Sequence, residues 1–194
     1  MTFSTIYLFY VTLLIMLIAF SAFFSAAETA FMRSNRVRLR HQAEEGDKDA
    51  LRVYNLLKEP DRLLSTILLG SNFVNVFASS LATAMLIALF GEEGVIYASI
   101  VMTIVLLVFS EIIPKNLAAY RSDEASRLMS YPMQWIIPLL SPIVRLLSMI
   151  SRGVAQLAGV DLSKVDRMTE EDIGSAIFLG HKDGFIKEPK AKML

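Results

Sequence analysis

The chain has 194 residues, 54% of them hydrophobic, with a mean hydropathy of +0.50 and a formal net charge of zero. That is too apolar for an ordinary globular domain and fits a multi-span helical membrane protein. Neutrality gives no electrostatic case for a nucleic-acid partner, and the absence of cysteine removes disulfide frameworks and thiolate metal sites.

The first apolar stretch runs from about Phe3 to Met32, beyond the roughly 18 to 20 residues that a helix needs to cross the hydrocarbon core. Its first charged residue is Glu28, so it lacks the basic start of a cleavable signal and is expected to be retained. Ser21 and Ser25 are four apart on one helix face, which Glu28 continues three residues on. The polar connection 33–62 carries apolar residues at helical intervals: Val37 and Leu39, then Leu51, Tyr54 and Leu57. Gly46 and Asp47 interrupt it, which predicts two short helices in a cytoplasmic hairpin. Its mixed charges form a solvated face whose basic end favours anionic lipid.

A second stretch, 63–90, and a third, 95–113, are each long enough to span and are joined by the turn Gly91-Glu92-Glu93-Gly94. Basic residues fix the orientation. Arg33, Arg36, Arg38, Arg40 and Arg62 lie on one side, with Lys115, Arg121 and Arg127 after the third span, while the tight turn has none. The positive-inside rule then places the N-terminus outside and the C-terminus in the cytoplasm of a multi-pass cell-membrane protein. Small residues in the second span, Ala78, Ser79, Ala82 and Ala84, permit close helix approach and predict a homodimer.

The fourth stretch, 131–150, contains Pro132, Pro138, Pro142 and Arg145, with basic groups on both flanks. Prolines at that spacing interrupt helical hydrogen bonding, and Tyr131 and Trp135 suit the headgroup level. The expectation is a kinked helix lying in, or dipping into, the cytoplasmic leaflet; an ordinary kinked fourth span stays open, since membrane helices tolerate proline. From Asp161 the composition turns soluble. Thr169 and Asp172 give a helix-start signal, and Ile173, Ile177 and Phe178 share a face. The organisation expected is an all-α membrane protein: three transmembrane helices with the 33–62 hairpin in residues 1–130, a juxtamembrane helix in 131–160, and the start of a cytoplasmic region in 161–194. That last segment is too short for another core and is expected to lead into a further domain.

Glu111 sits at the inner end of the third stretch, in Phe109-Ser110-Glu111-Ile112-Ile113-Pro114-Lys115-Asn116, and no Lys, Arg or His lies between Leu63 and Pro114. A carboxylate at membrane depth is costly and ordinarily faces a bundle interior or a wet path. Pro114 removes a backbone donor and frees carbonyl oxygen. The run Gly70-Ser71-Asn72-Phe73-Val74-Asn75 adds a hydroxyl and two amides, with Ser71 and Asn75 on one face. One carboxylate with several neutral oxygens suits a hard cation, Mg²⁺ with about six oxygens or Ca²⁺ with more. His41 and His181 lie outside the spans, so a soft transition-metal site is not indicated. The alternative is that these small polar residues only knit helices together.

Three segments, Ser21-Ala22-Phe23-Phe24-Ser25-Ala26-Ala27-Glu28-Thr29-Ala30, Leu69-Gly70-Ser71-Asn72-Phe73-Val74-Asn75-Val76 and Ser110-Glu111-Ile112-Ile113-Pro114-Lys115, together resemble the signature segments of the CorC/cyclin-M (CNNM) magnesium transporters. The resemblance covers about residues 1–190. It implies a homodimeric membrane domain moving Mg²⁺, in the efflux direction with Na⁺ as the candidate coupling ion. It also implies a CBS-domain pair, sensing ATP–Mg²⁺, that follows the segment 161–194. Carried over residue by residue, it implies an ion site of Ser21, Ser25, Asn75 and Glu111, with the Gly70 carbonyl and Ser71 in second rank. The family's second segment often has Gly-Asn-Asn where this chain has Gly70-Ser71-Asn72. Glu28, close to the Arg33–Arg40 cluster, is expected to serve helix pairing more than the ion.

Two other classes compete. A membrane anchor or partner-binding scaffold would tolerate Glu111→Ala and show no ion dependence. An intramembrane enzyme would need a nucleophile with a base or a metal-activated water, and the spans place no His, Lys or paired acids beside their serines, so no enzyme is expected.

Overall fold

A stretch with neither proline nor glycine and few polar side chains can satisfy its backbone in lipid in one way, as continuous helix. The computed structural model describes residues 3–157, helical throughout apart from short turns, with no strand among the described residues. Helix α1 is Phe3–Arg33, α2 Arg36–Glu44, α3 Lys48–Leu57 and α4 Pro60–Phe90. After a single 3₁₀ turn comes α5, Gly94–Val105; a π-helical segment, Leu106–Ile112, joins it to α6, Ile113–Tyr120, and α7 is Ser122–Leu157. The stretches Thr5–Arg33, Pro60–Tyr120 and Ser122–Ala155 are long and apolar enough to cross a membrane. The second of them folds back at Gly91, whose φ of +66° favours glycine, so α4 and α5 pack as an antiparallel hairpin. The expected turn at 91–94 is therefore in place.

The 33–62 connection forms two helices as its periodicity predicts. Asn35 caps α2 by accepting the N–H groups of Val37 and Arg38, and Asp47 caps α3 by accepting those of Asp49 and Ala50. Gly46 makes the reversal between them with φ +96°. Val53 and Leu57 of α3, with Leu39 of α2, close a core against Phe24 and Phe31 of α1, Leu63 and Ile67 of α4, and Met133 and Ile137 of α7. Burying side chains of this kind stabilises by about 1.5–3 kcal/mol each, so the hairpin is fixed to the spans by packing. Polar contacts add register: Arg127 donates to Asp47 Oδ2 at 2.6 Å and to Gln42 Oε1 at 2.8 Å. The N–H of Ala50 and the Arg127 guanidinium hold the Asp47 carboxyl below its ordinary range.

The fourth stretch is helical, as expected. Helix α7 begins at Ser122 and runs through Pro132, Pro138 and Pro142 without interruption. Each proline removes one donor only, and the remaining ladder with neighbouring packing keeps the helix. Ser126, Ser130, Met133, Ile137, Ser141 and Val144 form its buried face, while Leu128, Tyr131, Trp135, Leu139 and Leu146 are exposed. The chain divides into two compact units, Met1–Leu146 and Leu147–Leu194; of the second, residues 147–157 are described and continue α7 as helix. The expectations for residues 161–194 lie outside the described residues.

Candidate functional site

Helix α1 packs against α4, the π-helical segment and α6, which brings the three sequence segments to one side of the bundle. From α1, Ser21 and Ser25 are buried on one face. From α4, Gly70 is buried and Ser71 and Asn75 are half-buried. From the third span, Ser110 is fully buried and Glu111 half-buried.

The direct link is between Ser21 and Asn75. The Ser21 hydroxyl donates to Asn75 Oδ1 at 2.5 Å. Adjacent oxygens of an octahedral Mg²⁺ shell, each about 2.1 Å from the metal, lie about 3.0 Å apart. This hydrogen-bonded pair is closer than that, so the two oxygens would have to move apart to serve as neighbouring ligands. Gly70 explains how α1 and α4 come near enough. A Cβ at Gly70 would run into the ring of Phe24, which fills that space. Asn72 turns away: it is exposed, and its amide donates to the Leu68 carbonyl at 2.9 Å. Ser25 has no partner for its hydroxyl among the described residues, and its carbonyl accepts from Thr29 at 3.4 Å.

The backbone around Glu111 is irregular, as Pro114 implied. The Ile113 N–H reaches back five residues to the Val108 carbonyl, the signature of a π turn, and Pro114 has no N–H to continue an α ladder. Such wide turns are rare in helices and recur at functional sites. The π-helical segment packs against α1, where the buried Ser110 hydroxyl donates to the Ile18 carbonyl at 3.4 Å; Glu111 is its half-buried neighbour.

Electrostatically the site is a lone carboxylate. Among the described residues Glu111 has no basic partner and no three His, Asp or Glu side chains gather. Lys115 is four residues on, but its ammonium is 3.1 Å from Glu28 Oε2 of α1. Glu28 of α1 thus pairs with Lys115 of α6 rather than with the nearby arginines. One acid with hydroxyl, amide and carbonyl oxygens suits a hard cation that keeps part of its water. Sequence reasoning missed Ser110, whose only signal was its place beside Glu111, and missed the Glu28–Lys115 contact, which no spacing within one segment could show.

Part of the small-residue face of α4 is used within the chain. Ala78 and Ala82 are buried within the chain against Met102, Leu14, Leu17 and Leu106, so they are spent on packing α4 to α5 and α1. What stays open on α4 is a groove of about 590 Å³ lined by Asn75, Val76, Ser79, Ser80, Thr83, Ala84 and Ile87.

The family described as Cyclin M transmembrane N-terminal domain matches residues 12–190. The UPF0053 inner membrane protein YfjD of Escherichia coli is 38% identical over 159 residues, which is 81% of this chain and 37% of that protein. A chloroplastic DUF21 domain-containing protein of Arabidopsis thaliana is 32% identical over 183 residues, 94% of this chain and 28% of that protein. A polyamine export protein of Salmonella typhimurium is 20% identical over 191 residues, 92% of this chain and 43% of that protein. The chain therefore spans well under two thirds of the length of these relatives.

Proposed function

This chain belongs to the cyclin M transmembrane N-terminal domain family, and on that premise we propose that it binds and moves Mg²⁺ across the cell membrane. The observation that carries the proposal is Glu111: an acid on a π turn, without a basic partner among the described residues, in a segment that packs against the helix carrying Ser21 and Ser25, with the Asn75 amide bonded to Ser21. Glu111 supplies the charge that offsets part of the ion's desolvation, while Ser21, Ser25 and Asn75 replace waters of its shell. Gly70, through its carbonyl, and Ser71 stand beside them on α4. For Ser21 and Asn75 to serve together, the serine hydroxyl rotates its hydrogen away and both oxygens turn to the ion. Mg²⁺ gives up water reluctantly, so a partial protein shell with retained waters suits it better than a full cage.

The resemblance of the three segments supports outward transport with Na⁺ as coupling ion, and regulation by a CBS pair in the whole protein. Basic residues at the hairpin end support a cytoplasmic hairpin and an outside N-terminus. The exposed Tyr131 and Trp135 support α7 as an interfacial helix with its apolar face in lipid. The groove on α4, with hydroxyls that lipid would leave poorly solvated, supports a homodimer seated there.

The name of the Salmonella relative favours a second cargo, an organic polycation. Its spaced ammonium groups would call for several acids in a row, whereas the second and third spans between Leu63 and Ile113 hold Glu111 and otherwise only the turn acids Glu92 and Glu93. The test is a titration of the purified protein with Mg²⁺, read by thermal unfolding, with Na⁺, Ca²⁺ and spermidine as competitors. A ligand at about one hundred times its Kd stabilises by about 2.7 kcal/mol, which such an assay resolves. Glu111→Gln should lose the Mg²⁺-dependent stabilisation and Glu111→Ala should abolish it. Binding by Glu111→Gln as tight as the parent's would sink the Mg²⁺ site, and stabilisation by spermidine alone would favour the second cargo.

A further inference from the structure

We propose that Glu28 is a positioning residue that holds Lys115 away from Glu111 and so sets the cation affinity of the site; this rests on the ion site proposed above. Lys115 follows Glu111 by four residues across the junction of the π turn and α6. An acid four residues N-terminal to a lysine is the favoured orientation for an ion pair along a helix. Glu111 is therefore the local partner open to Lys115. The ammonium instead crosses to α1 and lies 3.1 Å from Glu28 Oε2.

Glu28 is well placed to do this. It stands three residues after Ser25 and seven after Ser21, on the α1 face that carries both site serines. The pair thus closes the hairpin-side end of the same row of oxygens. Both side chains are 42% exposed, which places the pair at an open end of the bundle rather than in a packed interior. Exposed ion pairs contribute little to stability because water screens them and ordering two long side chains costs entropy. A stability role accounts poorly for a pair that joins the two site-bearing helices at this level.

Released from Glu28, Lys115 would act as a tethered competitor. Its ammonium would neutralise Glu111 and, being attached, would do so at an effective concentration far above that of free ion. It would also repel a divalent cation approaching from the open end. The second half of the inference follows: without the lysine, Glu28 has nothing to restrain, and the site loses no affinity.

The experiment uses the full chain in detergent or nanodiscs, with Mg²⁺ affinity measured by calorimetry and by thermal shift for the parent, Glu28→Gln, Lys115→Gln, Glu28→Gln/Lys115→Gln and Glu111→Gln. Glu28→Gln should weaken Mg²⁺ binding roughly tenfold, the scale of one nearby unit charge on a divalent ion at a partly wet site. Lys115→Gln should bind at least as tightly as the parent, and adding it to Glu28→Gln should restore parental affinity. A purely structural contact predicts a different pattern, in which both single variants weaken binding alike and the double variant gains nothing; that result overturns the proposal. Weaker binding by Lys115→Gln alone overturns it as well, even if Glu28→Gln fails to fold. If Glu28→Gln binds like the parent while Glu111→Gln is dead, the positioning role is wrong and the ion site stands. If Glu111→Gln binds like the parent, the ion site itself has failed.

Discussion

Gly70→Ala adds one methyl group at the closest approach of α1 and α4, and the structure sets its consequences. Gly70 is buried, and the methyl would overlap three atoms of the Phe24 ring. The ring has no free space behind it: Phe24 is 5% exposed and packed in the core with Ala27, Phe31, Ile67 and Met133. Alanine in a helix interior is worth about 1 kcal/mol over glycine, whereas forcing an extra methyl into a packed core costs about 1–3 kcal/mol. The net expected is a loss of up to about 2 kcal/mol of stability, set by how far the helices separate. The effect on the ion should be larger than the effect on folding. Ser25 directly follows Phe24, and the Ser21–Asn75 contact of 2.5 Å bridges the same two helices, so a shift of one helix from the other opens it. The variant keeps the Gly70 carbonyl, and any loss of Mg²⁺ binding therefore reports helix spacing. Thermal unfolding followed by Trp135 fluorescence, with and without Mg²⁺, gives both quantities. Phe24→Leu added to Gly70→Ala should return much of each. A Gly70→Ala protein as stable as the parent, with undiminished Mg²⁺ stabilisation, would show that the approach of α1 to α4 does not govern the site.

Asn75→Ala should destabilise the protein by about 1–3 kcal/mol by stranding the buried Ser21 hydroxyl, and should weaken Mg²⁺ binding by a step smaller than Glu111→Gln does. An unfolding temperature equal to the parent's would contradict this. Because Asp47 is held below its ordinary range by the Ala50 N–H and Arg127, its contribution is complete above the ordinary carboxylate value of about 3.9. That contribution is lost as pH falls through the lowered folded-state value, so Asp47→Asn should flatten the acid limb of the stability profile; coincident parent and variant profiles would exclude the linkage. In this cysteine-free chain, a cysteine at Glu92 should label from outside and one at Ser163 only after permeabilisation. External labelling at Ser163 would reverse the proposed orientation or make α7 a span.

Much of the architecture was legible because it follows from local rules. The uninterrupted apolar runs dictated the α1 and α4 helices, and Gly46 and Gly91 marked the two reversals, each with the positive φ that favours glycine. Helix α7 was legible as a helix bearing three prolines, since each removes one donor from a helix whose other groups stay paired. The four small residues of α4 divide by tertiary packing. Ala78, Ser79, Ala82 and Ala84 are equivalent as small residues, and only the fold of α5 onto α4 consumes Ala78 and Ala82 while leaving Ser79 and Ala84 on the open groove. Within the site, Ser21 and Asn75 were named from separate segments, and their hydrogen bond belongs to tertiary geometry. The π turn was foreshadowed by Pro114, but its length and its presentation of Ser110 were not.

The balance of charge at the proposed site suits a cargo that must leave as well as bind. A cage of several carboxylates would offset the desolvation of Mg²⁺ more completely and would hold it correspondingly longer; traffic requires affinity strong enough for entry and weak enough for exit. Glu111 supplies a single charge, and the oxygens of Ser21, Ser25 and Asn75 are neutral groups already placed by helix packing. The acid sits on the stretch of backbone with the least regular hydrogen bonding in the third span, next to a proline that cannot restore it. A small change in that turn moves Glu111 relative to α1 without unfolding a helix. The Glu28–Lys115 pair stands one turn further along, so the charge that would compete with the ion is parked on the same helix that supplies the hydroxyls. On the proposed reading, affinity depends on the spacing of α1 from α4 and from the π turn, which is why a methyl group at Gly70 and a neutralised Glu28 should perturb the same measured constant.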